Sequence, residues 1–142
     1  MKRPETAAYI AKARQSLLEA RVLAANNLPE AAGRAAYLAA YHAAQAFVFD
    51  ATGKAAKTHN GVRSEFARAS RDEPRLDRSF ATFLARAYSL KENADYAIGH
   101  STRIAIAEAR EAIEMATRFV DGVAGLLEPP DGSGSSSSAA NP

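Results

Sequence analysis

Apolar residues recur every three to four positions along almost the whole chain, and no stretch alternates as a strand would. The first run, about Glu5 to Ala25, places Ile10, Ala13, Leu17, Ala20 and Ala24 on one helical face. Pro4 suits a first helical turn, and Asn26-Asn27 ends the run. A second helix, about Pro29 to Ala51, has Asn27 or Leu28 at its cap and stops at Gly53, which suits left-handed backbone. Thr58 is placed to cap a third, about His59 to Ser70, that buries Val62, Phe66 and Ala69. After the turn Arg71-Asp72-Glu73-Pro74, a fourth carries Leu76, Phe80, Phe83, Leu84, Ala87 and Leu90. Lys91 to Gly99 reads as an irregular corner. Ser101 is then the expected N-cap of a fifth helix bearing Ile104, Ala105, Ala109, Ile113, Ala116, Val120, Val123 and Leu127. The fold expected is all-α, an antiparallel up-and-down bundle of four to five helices over residues 1–127. Residues 128–142 read as a disordered Pro/Gly/Ser-rich tail with nothing to bury.

Composition narrows this picture. The 142 residues suit one domain, and much of the 47% hydrophobic content is alanine, which favours helix and close helix–helix approach. Eighteen Lys plus Arg against 16 Asp plus Glu give a net charge of +2, too balanced for a protein that relies on nucleic-acid electrostatics alone. The absence of cysteine excludes disulfides and thiolate metal sites, and three scattered histidines do not suggest a metal centre. The basic start, Met1-Lys2-Arg3-Pro4, leads into no apolar h-region, and no run approaches the ~20 apolar residues of a membrane span. A cytoplasmic protein without membrane association or cofactor is the expectation.

Specialised polar residues fall in three clusters. On the second helix, Arg34 and Tyr41 lie within about 20° of one another, with Tyr37 between them in sequence and His42 on the adjoining stripe, about 80° from Arg34. A guanidinium fork, phenols and an imidazole on adjoining stripes can cradle a phosphate or a base. The alternative is that the tyrosines serve the core and His42 bonds a neighbouring helix. Lys57, His59 and Asn60 lie at the start of the third helix, where free N–H groups favour anions and ordinary capping is the competing reading. Lys91, Asp95, Tyr96 and His100 form the third cluster, in which Asp95 could orient an arginine or simply pin the corner. No Gly-rich phosphate loop, His-Glu-x-x-His motif or nucleophile elbow is present.

Three segments, in this order, carry a family resemblance: Arg34 to Ala46, containing Tyr37, Tyr41 and His42; Thr58-His59-Asn60-Gly61-Val62; and Lys91 with Ala94-Asp95-Tyr96. The chain resembles the HEPN family (higher eukaryotes and prokaryotes nucleotide-binding domain) over about residues 5–127, most closely its small stand-alone bacterial and archaeal branch. The resemblance implies a bundle of four to five helices, commonly homodimeric and often paired with a minimal nucleotidyltransferase as a toxin–antitoxin module. Many members are metal-independent ribonucleases, in which an Arg is followed four to six residues later by His on a late helix. Here the corresponding positions are Lys91 and His100, nine residues apart. Those two are the catalytic candidates, with Arg34, Tyr37, Tyr41, His42, Lys57, His59, Asp95 and Tyr96 as ligand-binding candidates. Tyr96 is also a candidate for nucleotidyl modification. The altered spacing favours a domain that binds nucleotide or RNA. The alternatives are an active ribonuclease toxin and a non-catalytic helical dimerisation module.

Overall fold

Two helices that begin on proline set the frame: α1 (Pro4–Ala25) and α2 (Pro29–Thr52). A computed structural model describes residues 3–96 and 104–128, the side chains of Leu90, Asn93, Ala94 and Tyr96 excepted. The turn between α1 and α2 closes through Asn27, whose φ of 58° is left-handed, and through a Leu28 N–H bond to the Leu23 carbonyl at 3.0 Å. So tight a turn sends α2 back along α1. The five α1 positions expected to face inward are all buried.

α2 is the centre of the bundle and packs against every other helix, most extensively against α1 and α5. Its alanines, from Ala32 to Ala46, are buried on nearly all sides, as befits a helix surrounded by protein. Gly53 ends it with φ of 74°, a conformation that penalises any side chain. Near that end Thr6 Oγ1 donates a 3.1 Å hydrogen bond to the buried Asp50 carboxylate, tying α1 to α2.

α3 (His59–Ser70) has the expected bounds, because Thr58 Oγ1 accepts from the Gly61 N–H at 2.9 Å. Val62 and Phe66 are fully buried, and Ala69 is partly so. α4 runs from Ser79 to Tyr96, so Leu76 is buried in the preceding turn and not in the helix. The expected corner over Lys91–Gly99 is corrected in its first part: the chain stays helical through Tyr96. Lys91 and Asp95, one turn apart, form an ion pair at 2.8 Å that supports that last turn.

α5 spans Ile106–Leu127, with Ala105 at its N-cap position, so Ile104 and Ala105 precede the helix. The expected cap, Ser101, lies outside the described residues. Glu108 supplies the capping interaction instead, its Oε1 accepting from the Ala105 N–H at 2.9 Å. Arg14 holds the far end of α5 to α1 through two bonds to the Glu128 carboxylate, at 2.8 and 3.0 Å. The result among the described residues is an all-α bundle of five helices. Among the described residues, no helix is long and apolar enough to cross a membrane.

Away from α2 the core is knitted by Phe119, whose buried ring lies 5.0 Å from Phe66 on α3 and 4.9 Å from Phe80 on α4. Its loss would leave a cavity among the rings of Phe66, Phe80 and Phe83. Phe119→Ala should therefore cost about 3–5 kcal/mol in urea unfolding. Arg110→Ala, at an exposed position of α5, should change stability by less than about 0.5 kcal/mol.

Candidate functional site

The site is built from the aromatic side of α2. Tyr37 and Tyr41 stand one turn apart, with ring centroids 5.7 Å from each other. Both are buried, Tyr37 completely. Capping by Thr58 starts α3 at His59 and brings that imidazole onto the two phenols. The His59 ring stacks on Tyr41 at 4.4 Å, and its Nδ1 lies 2.6 Å from the Tyr37 hydroxyl. Tyr88 of α4 closes the cluster, 5.6 Å from both Tyr37 and His59. Arg63 lies one turn beyond His59 on α3 and sets its guanidinium 4.2 Å over the Tyr88 ring. Its Nη2 donates to the Asn60 amide oxygen at 3.3 Å, while its Nε is buried without a hydrogen-bond partner among the described residues.

A second group of charges joins α2 to the end of α4. Arg34 Nε donates to Asp95 Oδ1 and Lys91 Nζ to Asp95 Oδ2, each at 2.8 Å. Lys91 also lies 3.7 Å from Glu92. One carboxylate thus bridges two cations, and Lys91, followed by Arg34, holds the Asp95 carboxyl below the usual aspartate range. The first cluster of the sequence reading and the third therefore meet at Asp95.

Electrostatics of the ring cluster follow from burial and these cations. Burial pushes the Tyr37 phenol well above its ordinary range, so it remains protonated at any physiological pH. Tyr41 is raised for the same reason. Burial, then Lys91 and Arg63, lowers the His59 pKa and favours the neutral ring. His42, half-buried on the neighbouring stripe, is lowered mainly by burial, and its Nδ1 lies 2.8 Å from Gln45 Oε1.

Of the residues singled out from sequence, Arg34, Lys91 and Asp95 thus form one charged group, and Tyr37, Tyr41 and His59 one ring cluster. His42 touches this cluster only edge-on, through Tyr41 at 5.6 Å. Lys57 is exposed on the loop before α3 and makes none of these contacts. Tyr96 ends α4, but its side chain lies outside the described residues, as does His100. Sequence reasoning missed Tyr88 and Arg63. Arg63 had a legible signal, since the spacing from His59 puts both on one face of α3. Tyr88 had none, because its place depends on how α4 packs on α2.

Depressed histidine pKa values carry a pH dependence of stability. The native protein holds His42 and His59 neutral, whereas the unfolded chain takes up protons there near 6.5. Below that value the unfolded state binds more protons, so stability falls with pH until the native histidines also titrate. The thermal midpoint should drop between pH 7.5 and 5, before the carboxylates titrate, and the slope should flatten in a His42→Gln, His59→Gln double variant. A midpoint that holds constant or rises would contradict this.

Comparison with known families agrees with the architecture. The family model of the HEPN domain matches residues 6–126, spanning the five described helices except Pro4 and Glu5 of α1 and Leu127 of α5. No curated protein sequence matches the chain. The matched span covers most of the sequence and nearly all of the five described helices, and the chain belongs to the HEPN domain family.

Proposed function

We propose that this HEPN-domain protein binds a phosphate-bearing ligand, nucleotide or RNA, at the His59 cluster, and that it works beside a nucleotidyltransferase partner in a toxin–antitoxin-type module. The observation that carries the ligand reading is the His59 imidazole flanked by Arg63 of its own helix and Lys91 of α4, with Arg34 of α2 joined to Lys91 through Asp95. Arg63, Lys91 and Arg34 outnumber the nearby carboxylates of Asp95 and Glu92. The local balance therefore favours an anion although the chain as a whole is nearly neutral. The Arg63 guanidinium carries further N–H donors besides the one given to Asn60. The tyrosines are too deeply buried to stack on a base, so phosphate oxygens are the better match.

Catalysis is the weaker part of the family inheritance here. Metal-independent RNA cleavage needs a base for the 2′-OH and a cation for the developing charge. Lys91, standing where the resemblance places an arginine, is engaged by Asp95 and Glu92. A lysine also lacks the bidentate geometry of arginine. The reading is thus a binding domain with weak or no ribonuclease activity. It extends to a homodimer, to which the exposed Leu18 and Val22, one turn apart on α1, would contribute. A light-scattering mass of one chain at micromolar concentration would count against the dimer.

Fluorescence anisotropy with a labelled single-stranded oligoribonucleotide tests the binding. His59→Ala and Arg63→Ala should each weaken it by about tenfold or more, the loss expected for one charge-assisted hydrogen bond. Wild-type affinity in both variants would place the ligand elsewhere. Incubation of the same RNA with protein in EDTA should leave it intact, and robust cleavage abolished by Lys91→Ala or His100→Ala would replace the binding reading with the ribonuclease one.

A further inference from the structure

We propose that Tyr37 is a positioning residue that locks His59 in the Nε2–H tautomer, making the ring a fixed hydrogen-bond donor to a phosphate oxygen and not a general base. The ligand half of this inference rests on the phosphate-binding reading above; the tautomer half stands on geometry alone.

The Tyr37 side chain is wholly buried, so its hydroxyl proton has no access to bulk water. Among the described residues, the acceptor within reach is His59 Nδ1, at 2.6 Å. A buried hydroxyl that fails to donate loses the full cost of its desolvation. Were the proton on Nδ1, the ring would donate to the phenol oxygen, and the phenol proton would be left without an acceptor. The arrangement that satisfies both groups has Tyr37 donating and Nδ1 accepting. A neutral imidazole in that state carries its own proton on Nε2. The raised Tyr37 pKa keeps the phenol a donor, and the lowered His59 pKa keeps the ring neutral.

Chemical consequences follow directly. With Nδ1 filled and Nε2 protonated, neither ring nitrogen has a lone pair free to take a proton from a ribose hydroxyl. Nε2–H can still donate to an acceptor, and a phosphate oxygen is the acceptor that the flanking Arg63 and Lys91 would favour. The stack on Tyr41 fixes the ring plane, so the direction of donation is set before the ligand arrives. Tyr37 would thus shape the site without touching the ligand.

Long-range proton–nitrogen NMR correlations on the nitrogen-15-labelled wild-type chain at pH 7.5 read the tautomer directly. The expected spectrum has His59 Nε2 protonated and Nδ1 bare. A protonated Nδ1, or two exchanging tautomers, would overturn the proposal without recourse to any variant. In a folded Tyr37→Phe protein the single tautomer should give way to a mixture, and its persistence would show that Tyr37 does not set it. A second arm separates donor from base. Glutamine can donate a hydrogen bond but cannot take up a proton near neutral pH. His59→Gln should retain most of the affinity for a short oligoribonucleotide or for AMP that His59→Ala loses, by about tenfold or more. Equal losses in both variants would overturn the donor role. Comparing the two probes tells a polymer ligand from a free nucleotide. Failure of the wild type to bind either probe, with the Nε2–H spectrum intact, would refute the phosphate reading and leave the tautomer assignment standing.

Discussion

Everything in this bundle is arranged around an α2 helix that is buried on nearly all sides and approached closely where its small residues lie. Its run of buried alanines gives neighbouring backbones no bulky side chains to clear. Close approach is achieved where α1 and α5 pack, the two most extensive contacts in the fold. Large rings on α2 are directed mainly to α3 and α4, where Tyr37, Tyr41 and Phe47 meet His59, Tyr88 and Phe66. Small residues thus stabilise the bundle on one side and leave the aromatic side to shape a site.

That division explains why the polar groups are positioned so firmly. Tyr37 cannot move without disturbing the centre of the bundle, and the His59 backbone is held in the first turn of α3. Their hydrogen bond joins two elements whose positions are set independently, by α2 packing and by the Thr58 cap. The Asp95 bridge does the same for α2 and α4, using charge where the first uses a buried hydroxyl. A phosphate entering beside His59 would meet groups already oriented, so little ordering entropy would oppose its binding.

Local signals were legible in the sequence to the extent that local chemistry decides them. Pro4 and Pro29 opened helices, Gly53 closed one, and Thr58 set the start of α3. The end of α4 was misread because Lys91-Glu92-Asn93-Ala94-Asp95 looks like a polar break. In the folded chain Asp95 is held by Lys91 one turn earlier and by Arg34 from another helix. The first contact has helical spacing; the second is a tertiary contact that no local pattern encodes. In the site, Tyr37, Tyr41 and His59 were each visible as unusual residues, but their union with Tyr88 depends on helix packing. His42 shares the sequence neighbourhood of Tyr41, yet the helical rotation between them turns its imidazole to Gln45.

Amide chemical-shift mapping of the wild-type protein with a short oligoribonucleotide tests most directly whether the ring cluster is the ligand site. The largest shifts should fall on the first turn of α3, His59 to Arg63, and on α2 between Arg34 and His42, with α1 and the middle of α5 unmoved. Shifts concentrated on the exposed face of α1 around Leu18 and Val22, with the amides of His59 and Arg63 silent, would contradict it.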